Sequence, residues 1–495
     1  MTFKKITETC EKDKRKVNFE YLKLSADYIT PIRILQAYDP IALLESAYPE
    51  SGRSRYSIIV LDEAFSLAKK GKDYFKITEN ETEKLDYHLD FLSLLNEYRQ
   101  KSPKNDIISF YPVPVGGLGY LGYEYFEEIE DITFRKEYED NEYDCCFVFG
   151  RNFMIFDHYK DEIVLCSVSY EGEILNLSAE LEKVQYRINN GLDNDDFFST
   201  NDKPSLFKNI EIFDEEDKDT FKRNVLFLKE EIENGNLIQC VISRSKIIKT
   251  DIDTRFFYRE LRRENPSPYM FYLKCGGITI FGTSPEIMVK TEGKKITLRP
   301  IAGTRKRGKN NGEDNYLEND LLSDPKERAE HLMLVDLARN DLGRISAKGS
   351  VKVSEYMSVE KYASVMHIVS NVESEFDDGF DSYSAIKACF PAGTVSGAPK
   401  IQAIKTIEKL ENVRRGPYAG LVGYFTAGGD FDSCIVIRSA FCKNGFIRLQ
   451  AGAGIVSDSD PEREYQETEN KLASLVKIFN IEKNLNFVSS QKGGN

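Results

Sequence analysis

Apolar and polar positions alternate over short stretches through the first part of the chain. Residues 55–62 (RYSIIVLD), 143–156 (YDCCFVFGRNFMIF) and 162–170 (EIVLCSVSY) are rich in β-branched and aromatic side chains between polar clusters, which predicts strands. At 116–126 (GGLGYLGYEYF) glycines punctuate a turn and a strand. The period lengthens to that of a helix at 177–189. Residues 191–205 (GLDNDDFFSTNDKPS) then lose all periodicity, and their Asp, Asn, Ser and Pro content marks a linker. Beyond it, Phe221, Val225, Leu228 and Ile232 recur every three or four positions, and Asn234-Gly235 closes that helix. Strands are predicted at 237–248, 269–275, 278–283 and 295–301, and helices at 325–341, 382–390, 398–411 and 461–478. Strands at 419–426, 432–442 and 446–450 interleave with them. The mixture predicts an α+β fold with mostly antiparallel pairing rather than a regular βαβ alternation. It divides into an N-terminal domain (17–190), a linker (191–210) and a C-terminal domain (211–480).

Composition narrows the class. A chain of 495 residues exceeds one compact core, and 41% hydrophobic residues with 31 Phe and 27 Tyr can fill two. The formal net charge of −14 sets most of the surface against nucleic acid and against an anionic membrane. An acidic small molecule then needs a locally positive pocket of Arg, Lys, metal ions or backbone N–H groups. Nine scattered cysteines without a CxxC pair are the usage of a reducing compartment, with neither a disulfide framework nor a zinc site expected. The N-terminal MTFKKITETCEKDKRK is charged where a signal peptide is apolar, and no apolar run approaches the ~20 residues of a membrane span. A cytoplasmic enzyme is expected.

Candidate chemistry concentrates in the C-terminal half. In 325–344 (PKERAEHLMLVDLARNDLGR), Glu327 and Glu330 share a helix face with Leu334, Leu337 and Ala338. Carboxylates within an apolar stripe need a cation or an Arg or Lys partner. In 460–479, Glu464, Glu467 and Lys471 repeat the arrangement. Two helices presenting two glutamates each are able to build a Mg²⁺ site, whose oxygen ligands leave room for water and substrate. Three segments, PIAGT (300–304), FPAGTVSGAPK (390–400) and QAGAGIV (450–456), read as turns whose N–H groups face an anion. Arg438, inside the strand segment CIVIRSAF, either joins that anion site or pairs with a structural Asp. Of four histidines, His331 suits a structural hydrogen bond. His367, in YASVMHIVSNV, suits either a core bond to backbone or acid–base work.

Taken in order, LLES (43–46), NPSPYMFYL (265–273), GTSPE (282–286), RPIAGTRKRG (299–308), EHLMLVDLARNDLGR (330–344), VMHIVSNV (365–372), AGTVSGAPK (392–400), GPYAGLVGYF (416–425), QAGAGIV (450–456) and DPEREYQETENK (460–471) resemble the chorismate-utilising enzymes. Within them the resemblance is to the large subunit (component I) of anthranilate synthase, over residues 40–478. It implies two orthogonal, mostly antiparallel sheets flanked by helices. It also implies a Mg²⁺-dependent reaction in which ammonia adds to chorismate, water leaves and pyruvate is eliminated. The implied metal ligands are Glu330 and Glu467, with Glu327 and Glu464 beside them. Glu286 matches the general acid, His367 the residue assisting pyruvate elimination, and Thr394 a third catalytic position. Gln239, Gly303, Thr304, Tyr418, Arg438, Gly452, Ala453, Gly454 and Lys471 match substrate-binding positions. Glu45, Ser46, Pro268, Tyr269 and Met270 match a tryptophan feedback site; read without the resemblance, they are a strand end and a core segment. Water-adding relatives carry a lysine base where Gln239 stands, and aminodeoxychorismate synthases carry a lysine nucleophile where Ala302 stands. Aminodeoxychorismate synthase component I and a non-catalytic ligand-sensing homologue remain the alternatives. No cysteine sits on a GxCxG-type turn, so a separate glutamine amidotransferase subunit is the expected ammonia source, giving a heterodimer or heterotetramer.

Overall fold

The computed structural model describes residues 18–477 except 28, 49–51, 105, 135–142, 194–209, 251–252 and 363–364. Most of the predicted linker, 191–210, lies outside the described residues. Helix α1 (Leu177–Asp193) runs into its first three residues, beyond the predicted helix end at 189, and α2 (Lys218–Glu233) follows, burying Phe221, Val225 and Leu228 as the periodicity predicts. Three further helices, α3 (Pro325–Gly343), α4 (Lys400–Leu410) and α5 (Pro461–Val476), carry or brace the chemistry. Helices α3 and α5 begin alike, on Asp-Pro. Asp324 accepts from the N–H groups of Lys326 and Glu327, and Asp460 from that of Arg463. Proline fits the first helical position because its φ is preset and it has no N–H to leave unpaired. These caps set where the two glutamate faces start.

The strands framing the site are, in chain order, β1 (Ala42–Glu45), β2 (Tyr56–Lys70), β3 (Leu118–Leu121), β4 (Cys145–Asp157), β5 (Gln239–Lys249), β6 (Tyr269–Cys275) and β7 (Ile278–Ser284). They continue with β8 (Ile287–Glu292), β9 (Ile301–Lys306), β10 (Val365–Glu375), β11 (Leu421–Phe425), β12 (Phe431–Ile435), β13 (Ser439–Lys443) and β14 (Phe446–Ile455). The fold is α+β with antiparallel pairing and flanking helices, and hydrogen bonding runs continuously through 22 strands. One run passes β4–β2–β1–β6–β7–β13–β14–β5. Another passes β4–β3–β11–β12–β8. Strands from the first 190 residues thus pair with strands from the C-terminal half at β1–β6 and at β3–β11.

The largest apolar cluster follows from this weave, joining Phe147 and Phe149 of β4 to Leu421 and Phe425 of β11 and to Phe271 of β6. The expectation of no disulfide is not met. Cys146 of β4 and Cys275 at the end of β6 are bonded, with Cα atoms 6.0 Å apart. A sequence separation of 129 residues concealed the pair. Of the other described cysteines, five are buried thiols and Cys442 is half-buried. Among the described residues, no helix is long and apolar enough to cross a membrane.

Candidate active site

Glu286 ends the loop between β7 and β8 and is 7% exposed. Burial pushes its carboxyl up to about 8; the Thr394 hydroxyl beside it eases the shift only in part. That hydroxyl has no partner of good hydrogen-bond geometry, so it remains available. Thr394 sits in the 3₁₀ turn Gly393–Val395, the one predicted anion turn that is a turn in the structure. A Cβ at position 393 would overlap Leu337 of α3, so glycine lets the turn approach the helix. Glu286, Thr394, Leu337, Arg299 and Asp341 line a small pocket of about 40 Å³. A carboxylic acid that keeps its proton at neutral pH is placed to protonate a leaving oxygen.

His367 lies in β10, beside β9, whose register shifts between Ala302 and Arg305. The PIAGT segment is therefore a bulged strand rather than a free turn. Gly303 adopts φ +67°, and its carbonyl lies 2.9 Å from His367 Nδ1. A carbonyl only accepts, so Nδ1 carries the proton and Nε2 keeps its lone pair. The Thr304 hydroxyl stands 3.1 Å from the same Nδ1. Burial drives the imidazole down to about 4, and the positive charge of Arg438 adds to the effect, so the ring is neutral at pH 7.

Arg438 departs from expectation. CIVIRSAF is not one strand: β12 ends at Ile435, β13 starts at Ser439, and Arg438 between them has φ +51°. Its backbone carbonyl accepts from the Thr283 N–H at 3.1 Å. Burial lowers the pKa of its guanidinium, and no carboxylate among the described residues pairs with it, which leaves the structural-Asp alternative without support. A half-buried guanidinium without a carboxylate partner among the described residues, held on a left-handed backbone, is a ready anion site.

QAGAGIV is likewise not a turn. Gly452, Ala453 and Gly454 lie within β14, paired with Ser243, Ile242 and Val241 of β5. Their glycines serve close approach. A Cβ at Gly452 would stand 2.9 Å from the Tyr418 hydroxyl, and one at Gly454 would stand 2.7 Å from Gln239 Nε2. Gln239 is 4% exposed; its Nε2 donates to Glu330 at 3.3 Å while its Oε1 has no partner. Lys471 Nζ joins the Gly452 carbonyl (2.8 Å) to Glu467 (2.7 Å).

The glutamates of α3 and α5 lie close enough for charge to act between the helices, Glu467 on Glu330. Burial raises the proton affinity of Glu330, and the charges of Glu327 and Glu467 raise it further. Glu464 is raised by burial and by Glu467, against the Ser459 hydroxyl. Among the described residues, however, no three acidic, His or Cys side chains stand in a ligating arrangement. Glu327 pairs with Arg305 at 3.0 Å, the salt-bridge alternative, and Glu467 pairs with Lys471. The all-oxygen donor set and its mutual repulsion fit a hard divalent cation in chemistry. His331 makes the expected structural bond, to the Ser370 hydroxyl at 2.6 Å.

Glu45, Ser46, Pro268, Tyr269 and Met270 line a second cavity of about 850 Å³, whose lining includes neither Glu286 nor His367. Ser46 Oγ is buried without a partner there. Glu45 is already engaged by Arg262 (2.9 Å) and by the Tyr258 hydroxyl (3.1 Å), so it shapes the wall. Ile287 and Arg299 line both cavities. Sequence reading passed over Arg262, Arg305 and the buried Arg415. The doubled arginine in ENVRRGPY, set between apolar segments, was the available signal.

The fold and these constellations define a chorismate-binding enzyme. The family profile described as chorismate binding enzyme matches residues 42–477, and the chain belongs to that family. Within it the chain falls among the component 1 subunits of anthranilate synthase. It is 42% identical over 459 residues to the anthranilate synthase component 1 of Spirochaeta aurantia, covering 92% of this chain and 94% of that one. It is 41% identical to that of Aquifex aeolicus, covering 93% and 94%. The crystal structure of anthranilate synthase component I from Streptococcus pneumoniae superposes with a TM-score of 0.75 at 35% identity, covering 86% of this chain and 93% of that one. The menaquinone-specific isochorismate synthase MenF of Escherichia coli shares the fold, with a TM-score of 0.69 at 18% identity over 93% and 94%.

Proposed function

We propose that this chain makes anthranilate from chorismate and ammonia in the cytoplasm, with a separate glutamine amidotransferase subunit supplying the ammonia. The observation that carries the reading is the pairing of protonation states. Glu286 keeps its proton at neutral pH, while His367 is neutral with its Nε2 lone pair free. Ammonia attacks ring C2, the ring double bonds shift, the C4 hydroxyl leaves as water with the Glu286 proton, and the ammonium formed at C2 gives up one proton to become the amine. The His367 lone pair then takes the C2 proton as the enolpyruvyl ether bond breaks; the ring aromatises, and the departing enolate takes a proton at its methylene carbon to become pyruvate. Arg438, Lys471 and the Gly452–Gly454 backbone hold the substrate carboxylates, with Tyr418, Gly303 and Thr304 alongside. Glu330 and Glu467, with Glu327 and Glu464 beside them, would hold Mg²⁺, which would supply a template and a Lewis acid for the substrate.

Two side chains support ammonia as the nucleophile. Gln239 cannot deprotonate water, and Ala302 offers no amine to attack the ring. Tryptophan is the proposed feedback inhibitor, in the cavity of Ser46 and Met270. A fluorescence assay with chorismate, Mg²⁺ and ammonium tests the whole reading. Anthranilate is expected to form, to fail with EDTA and to diminish with tryptophan; an aminodeoxychorismate product overturns it.

A further inference from the structure

Arg415 lies between α4 and β11, is 1% exposed and is among the largest fully buried side chains. Its guanidinium gives Nε and Nη2 to Glu411 at 2.9 and 2.6 Å. Nη1 donates to the Val395 carbonyl and Nη2 to the Val241 carbonyl, each at 2.7 Å. The rings of Tyr123 and Tyr418 lie 4.5 and 5.7 Å from it. Each contact leads to the site within a step or two. Val395 follows Thr394, Val241 lies two residues beyond Gln239, and Tyr418 packs on Gly452. The turn itself is held by the N-terminal half, since Glu124 accepts from the N–H groups of Arg415 (2.7 Å) and Gly416 (3.0 Å).

Packing alone does not call for this arrangement, because an apolar side chain of similar volume fills a core at least as well as a buried ion pair. The planar fork does what an apolar side chain cannot: it donates to the Val395 and Val241 carbonyls at once, beside the Val241 N–H to Ser396 and Ile238 N–H to Ala398 bonds that already join the two segments, and ties both to Glu411 and the 414–416 turn. We propose that Arg415 is a positioning residue for the reaction, setting the Thr394 turn, the Gln239 end of β5 and Tyr418 at fixed mutual distances. The proposal rests on the chorismate reading above. Arg438 and Lys471, the two cations proposed for the substrate carboxylates, lie outside its contacts, so the expected effect falls mainly on kcat.

The test uses the full chain with its amidotransferase subunit. Arg415→Ala alone would strand Glu411, so the variants are Arg415→Lys and the charge-neutral pair Arg415→Met with Glu411→Gln. Chorismate consumption, product identity and thermal melts are measured for each against the parent. Both variants are expected to melt cooperatively, with kcat for chorismate consumption lowered about 100-fold, the scale of a 1 Å misplacement, and chorismate KM within about threefold. Unchanged kcat in folded variants overturns the proposal, as does loss of the folded state in both, which would assign Arg415 to folding alone. A parent that consumes chorismate to another product overturns the anthranilate reading and leaves the Arg415 comparison intact; a parent that consumes none overturns both.

Discussion

Glu286 and His367 show how one interior produces opposite proton demands. Burial disfavours charge on both, so the carboxyl gains a proton and the imidazole loses one. Glu286 titrates near 8 when folded against 4.5 unfolded. Below about pH 4.5 both states hold the proton. Between that pH and about 8 the unfolded chain releases a proton the folded chain keeps, so stability falls as pH rises and then levels off. Thermal melts of Glu286→Gln across this window are therefore expected to show a shallower decline than the parent, with kcat reduced about 10²- to 10⁴-fold, as for a lost general acid. An unaltered pH slope would contradict the buried-acid assignment. At this scale the sequence offers candidate side chains, and residue conformation was not legible in it. Arg438 reads as the middle of a strand, and only tertiary bonds hold it at φ +51°.

At the scale of elements, helices were the most legible. The Asp-Pro starts and the 3.6-residue period place α3 and α5 within two residues of their observed ends. The glycine segments misled, because a glycine needed for close approach in a strand looks in sequence like one needed for a turn. Gly452 and Gly454 make room for Tyr418 and Gln239 inside β14. Pairing between β1 and β6 joins Glu45 to Met270 across more than two hundred residues, and so builds the second cavity. Ser46→Phe projects into that cavity from the residue after β1, and neither the acid nor the imidazole lines it. Its tryptophan inhibition constant is expected to rise at least about tenfold, the equivalent of about 1.4 kcal/mol, with uninhibited kcat near the parent's. Undiminished inhibition in this variant would remove tryptophan from the cavity.

For the whole molecule, the alternation pattern separates two halves, whereas the hydrogen bonds join them. Sequence periodicity reports which face of a strand is buried and carries no label for its partner, so the β1–β6 and β3–β11 ladders and the Cys146–Cys275 bond were out of reach. Glu124 and Asp144 of the N-terminal half also neutralise the 414–416 turn, where Arg414 pairs with Asp144 at 2.6 Å. A fragment of residues 211–480 would lose strand neighbours on β6 and β11 and leave Arg414 buried without Asp144. Expressed alone, it is expected to show no cooperative melt; a sharp transition with native-like near-UV dichroism would show that the halves fold independently.

The central claim is that nitrogen enters chorismate at C2 and stays in an aromatic product. Supplying ¹⁵N-ammonium with chorismate and Mg²⁺ and analysing the product by mass spectrometry and NMR reads this directly. Anthranilate one mass unit heavy, with the label on the carbon beside the carboxylate-bearing one, is the predicted result. A label at C4, or an unlabelled hydroxylated product, would contradict it.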